Sequence, residues 1–286
     1  MPEGSHSFLV GSIRCTVLAD GYASYPAEYF FPNADTDELA AALESRHLPA
    51  TSVLCPYTCL LIETGRRVIL VDTGAGEWMS TSGAVVARLE MAGIRPGGVD
   101  TVVLTHAHPD HAGGAVNFHR RPVFPNACHY LSSLEWEFWT APHPDLRALR
   151  VPEESARAMS AAAQRCLVPL RLKMEPIERE TEIAPGVRAI LAPGHTPGHL
   201  ALVISSDGEQ LLNLGDAAVH PLHLEHPEWE NGFDTDPDGA CATRRRLLAW
   251  AAAEQMGVMA FHFPFPSVGR VEPRGEGWVW SPGWQA

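Results

Sequence analysis

Three imidazoles and a carboxylate lie within six residues in Thr105-His106-Ala107-His108-Pro109-Asp110-His111-Ala112-Gly113-Gly114. Histidine and aspartate are preferred ligands of borderline divalent metals such as zinc. On an extended backbone His106 and His108 point the same way and can share one ion. Asp110 and His111 follow Pro109, where the chain can turn and offer a second set. Ligand-type residues recur downstream: His195 in Pro193-Gly194-His195-Thr196-Pro197-Gly198-His199, Asp216 in Asn213-Leu214-Gly215-Asp216, and His262 in Phe261-His262-Phe263-Pro264. Each follows an apolar run and lies beside Gly or Pro, the pattern of a strand end with a rigid loop after it.

The elements that must position these groups are legible in outline. Val99-Asp100-Thr101-Val102-Val103-Leu104 is β-branched and apolar, so the first cluster is expected where a buried strand stops. Upstream, residues 7 to 19 read as a hairpin or two short strands. Residues 22 to 34 read as an aromatic loop carrying Tyr22, Tyr25, Tyr29, Phe30 and Phe31, without a helical period. Asp35-Thr36-Asp37-Glu38 has the form of a capping box opening a helix to about Arg46. Strands are expected at 57 to 63 and 67 to 72, turning at Gly65, then a helix at 82 to 92 stopped by Gly93. A strand at 128 to 131, a helical region from Leu134 and an Ala-rich helix at 153 to 166 come next. Strand-like alternation covers 168 to 204, a last helix covers 237 to 256, and a closing strand covers 271 to 284. Arg244, Arg245 and Arg246 are adjacent on that last helix and point in different directions, which predicts a solvated face rather than a phosphate clamp.

The chain has 286 residues, 45% of them apolar, enough to fill a substantial core in one large domain or two small ones. Its 21 basic residues stand against 34 acidic ones, a formal charge of −13, which repels polyphosphate and argues against a nuclease. No apolar run is long enough to span a bilayer, so no membrane partner is expected. The N-terminus lacks a basic segment followed by an apolar one, so no secretory signal is read. The six scattered cysteines read as buried thiols, in keeping with a cytoplasmic home.

His-x-His-x-Asp-His, then Gly-His-Thr-Pro-Gly-His, then Gly-Asp and a late His resemble the metallo-β-lactamase-fold hydrolase superfamily over roughly residues 53 to 275. The run from Phe261 to Val271, with Asp216-Ala217-Ala218-Val219-His220-Pro221, resembles the branch of N-acyl-homoserine lactonases and methyl parathion hydrolase. The resemblance implies an α/β fold, an αββα sandwich of two facing mixed β-sheets with helices outside. It would form a single domain over 1–286, with an aromatic N-terminal arm at about 20–52.

The resemblance further implies His106, His108 and His195 on one ion, Asp110, His111 and His262 on the other, and Asp216 bridging. A carboxylate has two oxygens and can span two cations, as an imidazole cannot with one lone pair. The implied cofactor is two Zn2+ per chain, other divalent metals also suiting the set. Two ions about 3.5–4 Å apart share a hydroxide, and zinc lowers the pKa of bound water to about 7. Asp110 and Asp216 are thus the catalytic candidates, Asp110 orienting the nucleophile. Asp72, in Val71-Asp72-Thr73-Gly74, and His199 are expected to support ligands rather than bind metal. His220, Phe30 and Phe31 are candidates for contact with substrate.

The implied function is a dinuclear zinc hydrolase using a metal-bridging hydroxide to cleave a lactone or other carboxylic ester. Aromatic loops suit a small apolar substrate. A phosphotriesterase is the alternative within hydrolases. An iron-dependent thiol persulfide dioxygenase, using one iron and part of the ligand set, is the alternative outside them. Quorum-signal lactonases commonly carry Tyr three residues after the bridging Asp; this chain has Val219. Relatives of this kind are often homodimers, and the aromatic arm offers an interface.

Overall fold

The computed structural model describes residues 4–65 and 67–284. The first sheet runs in chain order through β1 (Ser5–Val10), β2 (Ile13–Pro26), β3 (Ser52–Thr64), β4 (Arg67–Val71), β5 (Thr101–Val103), β6 (Cys128–Ser132) and β7 (Met174–Ile177). Its first four strands pair antiparallel and the rest parallel. The second sheet contains β8 (Thr181–Ala184), β9 (Val187–Leu191), β10 (Leu200–Ser206), β11 (Glu209–Asn213), β12 (Gly257–Met259), β13 (Val268–Arg274) and β14 (Gly277–Pro282). Only β11 and β12 pair parallel there, because helices intervene between them. The helices are α1 (Ala27–Phe30), α2 (Thr36–Glu44), α3 (Val85–Met91), α4 (Pro109–Ala112), α5 (Ser133–Thr140), α6 (Glu153–Leu167), α7 (Leu222–Glu225) and α8 (Pro237–Ala253).

Strand alternation explains the layering. Leu60 and Ile62 of β3, with Ile69 and Val71 of β4, pack against Leu200, Leu202, Ile204 and Leu211 of the second sheet. The intervening Leu61 and Leu70 face the other way, toward Leu43 of α2, Leu89 of α3 and Met159 of α6. Ala201, Val203 and Leu212 meet Leu247, Leu248 and Ala251 of α8. Each central strand is therefore apolar on both faces, and the two sheets lie between helices in an αββα sandwich. No helix among the described residues is long and apolar enough to cross a membrane.

Local signals place several boundaries. Asp35 caps α2, its carboxylate accepting from the backbone N–H groups of Asp37 and Glu38 at 3.0 and 3.1 Å. Ile94 follows Gly93, which ends the α3 segment at φ 83°. Three expectations need correction. Residues 22–26 continue β2 against β3 and residues 27–30 form a helical turn, in place of an aromatic loop, because alternate aromatics fit a half-buried strand. The segment after 268 is a hairpin of β13 and β14 rather than one strand, turning at Gly275 with φ 61°. Arg244 is buried rather than solvated, whereas Arg245 is half-buried and Arg246 exposed. The six cysteines are free thiols, four of them buried.

Candidate active site

The ligand-type residues all sit at strand ends on one edge of the sandwich. His106 and His108 follow β5, and Asp110 and His111 lie in α4, which Pro109 opens. His195 lies between β9 and β10, Asp216 follows β11, and His262 follows β12. Nitrogen and oxygen atoms of His106, His108 and His195 lie within 4.8 Å of one another, as do those of Asp110, His111 and His262. Asp216 stands between the two groups. Its Oδ2 is 3.1 Å from His262 Nε2, 3.4 Å from His195 Nε2 and 3.9 Å from His106 Nε2, and its Oδ1 is 3.3 Å from His111 Nε2.

The remote ring nitrogens explain why the inner ones converge. His111 Nδ1 donates to Asp72 Oδ2 at 2.8 Å, and His195 Nδ1 donates to Asp234 Oδ1 at 2.8 Å. His262 Nδ1 lies 2.9 Å from the Pro56 carbonyl and 3.0 Å from Cys55 Sγ. The Thr105 hydroxyl donates to Asp72 and accepts from His106 Nδ1 at 3.1 Å. With Nδ1 engaged outward, each of these four rings turns its Nε2 inward. His108 differs: its Nδ1 faces His195 Nε2 at 3.0 Å.

Asp72 adopts φ 59°, a left-handed conformation costing about 1 kcal/mol for an L-residue. The bonds from Thr105 N–H, the Thr105 hydroxyl and His111 hold it there. His199 supports the second sheet's contribution. Its Nδ1 donates to the Ala192 carbonyl and its Nε2 accepts the Asp216 N–H at 2.9 Å. Burial pushes this imidazole down to about 3, so it stays neutral. Gly215, φ 51°, lies so close that a Cβ would fall 2.6 Å from His199 Nε2.

Burial drives His106 and His108 well below the usual imidazole range. Burial also opposes protonation of His111 and His262. At His111 the carboxylates of Asp216, Asp72 and Asp110 outweigh it and raise the ring to about 10; at His262 the Asp216 carboxylate raises the ring well above its ordinary value. The cluster is thus a buried, negative field that draws positive charge. His106 Nε2, His111 Nε2 and Asp216 Oδ1 are buried without a hydrogen-bond partner. Orphaned lone pairs are costly unless a cation takes them. Imidazole nitrogens with carboxylate oxygens fit a borderline divalent metal.

Above the cluster opens a cavity of about 340 Å³, lined by Asp110, Asp216 and His262 below and by Tyr25, Phe30, Trp78, Met79, Met159, Val219 and Phe233 around. The structure brings Phe30 to this wall but not Phe31 or His220. Those two stack edge-to-face behind it, centroids 5.5 Å apart, and His220 Nδ1 accepts the Leu222 N–H. Burial pushes His220 down to about 3.

Several supporting residues carry no local sequence signal. Asp234, beside His195, lies 3.9 Å from buried Arg244, which donates to the Ala217, Pro227 and Trp229 carbonyls. Fully buried Glu135 accepts from Ala107 N–H, Gly198 N–H and Trp139 Nε1–H, bracing the His106–His108 loop against the His195–His199 loop.

The family profile described as Metallo-beta-lactamase superfamily matches residues 53–252. An N-acyl homoserine lactonase of Bacillus cereus is 26% identical over 229 residues, covering 73% of this chain and 82% of that protein. One from Bacillus thuringiensis is 27% identical over 241 residues, covering 77% and 86%. Among solved structures, AidC, a dizinc quorum-quenching lactonase in complex with a product, is 28% identical with a TM-score of 0.92, covering 100% of this chain and 99% of that one. The hydrolase AbOPH, in the beta lactamase superfamily, is 26% identical with a TM-score of 0.89 and the same coverage.

Proposed function

Because the chain belongs to the metallo-beta-lactamase superfamily, we propose that this metal-dependent hydrolase is a dinuclear zinc enzyme that opens a lactone, or cleaves a related carboxylic ester, bearing an apolar group. The observation that carries the reading is the convergence of seven ligand-type residues in one cluster, five of which line the floor of an apolar cavity. The lactonase relatives support the lactone. In this reading His106, His108 and His195 hold one cation, Asp110, His111 and His262 hold the other, and Asp216 spans both. Bound there, the two cations would supply Lewis acidity and lower the pKa of a coordinated water.

The chain's own groups do the rest. Asp72 and Asp234 hold the His111 and His195 rings in the tautomer that offers Nε2 inward. Asp110, half-buried and lining the cavity, accepts a hydrogen bond from the attacking water and aims it at the substrate carbonyl. Phe30, Met159 and Phe233 take the apolar part of the substrate and exclude bulk water from the reacting carbonyl.

The test is a panel of acyl-homoserine lactones, aryl esters and phosphotriesters assayed with zinc-loaded protein, with metal content measured alongside. Lactone opening with two ions per chain is expected. Turnover confined to phosphotriesters, or a single iron per chain, would overturn the reading.

A further inference from the structure

The cavity over the cluster is mostly apolar, so each polar group that opens to it constrains what can fill it. Among the described residues, four polar side chains outside the ligand set line it: Tyr25, Cys55, Ser155 and Asn231. The Tyr25 hydroxyl is paired with that of Tyr57 at 2.8 Å. Cys55 Sγ is engaged with His262 Nδ1 at 3.0 Å. Ser155 is exposed in the first turn of α6. Asn231 differs from all three, being buried and holding a donor that no protein group takes.

The Asn231 backbone is locked to Asp234. Its N–H donates to Asp234 Oδ2 at 3.3 Å, and the Asp234 N–H donates to the Asn231 carbonyl at 2.8 Å. The Phe233 N–H donates to the Asn231 side-chain amide at 3.3 Å. A donor can face only the amide oxygen, so Oδ1 is turned to the backbone and Nδ2 away from it. Nδ2 has no hydrogen-bond partner among the described residues, and it is not sealed in: it opens to the cavity. Its place between two kinds of surface is fixed as well. Asp234 Oδ1 accepts from His195 Nδ1 at 2.8 Å, which ties one side of Asn231 to the ligand cluster. On the other side Phe233 packs with Tyr25 and Phe30, centroids 5.9 and 6.1 Å away, in the aromatic wall. The donor therefore stands where the polar floor gives way to the apolar wall.

Resting on the hydrolase reading above, we propose that Asn231 is a specificity-determining residue, its Nδ2–H donating to a second carbonyl oxygen on the arm that joins the substrate's ester to its apolar tail. A substrate that fills the cavity strips water from that N–H group. A buried donor left without an acceptor is costly, so an arm made of methylenes alone is rejected although it suits the aromatic wall. Phe30, Met159 and Phe233 accept any apolar tail of the right size and do not discriminate between the two arms. The second carbonyl takes no part in the bond that breaks. Its hydrogen bond is the same in the bound substrate and during the reaction, so its loss falls on KM rather than on kcat.

The experiment compares two lactones of equal length on the zinc-loaded full chain. One is N-hexanoyl homoserine lactone, whose arm carries a carbonyl; the other is α-heptyl-γ-butyrolactone, in which methylenes replace the amide. Asn231→Leu should raise KM for the amide lactone about 10- to 100-fold and for the alkyl lactone less than about threefold. Asn231→Asp keeps an oxygen for the Phe233 N–H and removes only the donor. It should raise KM for the amide lactone in the same way, and it carries the test should Asn231→Leu lose its cooperative melt. Metal content is measured for each variant. Equal KM changes on both lactones, an unchanged KM on the amide lactone, a loss that falls on kcat, or lost metal in a folded variant would each overturn the assignment. Unaltered protein that opens neither lactone would instead remove the hydrolase reading, and this assignment with it.

Discussion

His106 and His111 are ring neighbours, centroids 4.0 Å apart and both fully buried, yet burial drives one well below the imidazole range while carboxylates lift the other to about 10. The same contrast separates His108 from His262. His106, His108 and His195 form an all-imidazole set, with Asp234 behind His195 and Asp216 shared with the other group. Asp110, His111 and His262 include a carboxylate that faces the cavity, and Asp72 backs His111. Identical side chains thus acquire opposite preferences for positive charge from the acids around them, not from depth. A cation in the second group would sit in the more negative field.

Removing the acid shared by both groups should have the largest effect. Asp216→Asn should lower turnover on the order of 10³-fold and reduce metal to one ion or fewer per folded chain; near-normal turnover would remove Asp216 from its bridging place. Next come the two backing acids. Asp72→Asn and Asp234→Asn should each weaken metal affinity about 10- to 100-fold, Asp72→Asn at the second group and Asp234→Asn at the first. Stepwise chelator titration reads this: each variant should shift a different one of two release phases. If both variants shift the same phase, the groups are not independent and the comparison breaks.

The smallest expected effect tests burial away from any carboxylate. His129 on β6 is buried with both ring nitrogens unpartnered and no carboxylate raising it; burial, helped by Lys173, pushes it down to about 4. As pH falls through 6.5 the unfolded chain takes up a proton that the folded one refuses until about pH 4. Stability is therefore full above 6.5 and lost progressively below it, by about 2 kcal/mol between pH 7 and pH 5. Urea midpoints at those two pH values should fall more steeply for the unaltered protein than for His129→Phe; parallel slopes would refute the burial argument.

The ligand residues were legible because His106 to His111 are local in sequence and each later ligand follows an apolar run into Gly or Pro. The sandwich was legible mainly through that resemblance, since alternating runs alone fit several α/β arrangements. Asp234, Glu135 and Tyr25 were not legible as site residues, because tertiary packing alone brings them there. Tyr25 is 85 residues before Asp110 in no recognisable pattern, reaching the site through β2–β3 register. Arg244 misled for a related reason: three adjacent arginines look solvated, but one helical direction in α8 points at the carbonyls of the 217–229 loop. The family profile starts at residue 53, yet the likeness to AidC spans the whole chain, so the segment that supplies Tyr25 and Phe30 is part of the shared architecture.

Each group takes donors from both sheets: His195 joins His106 and His108 across the sandwich, and His262 joins Asp110 and His111. A cation seated in either group is a rivet between two slabs, and its capture energy adds to the cohesion of the whole chain. Chain order then sets a timetable during synthesis. The first cage has its donors once residue 216 has emerged, while the second waits for residue 262, so the two fasteners are set one after the other.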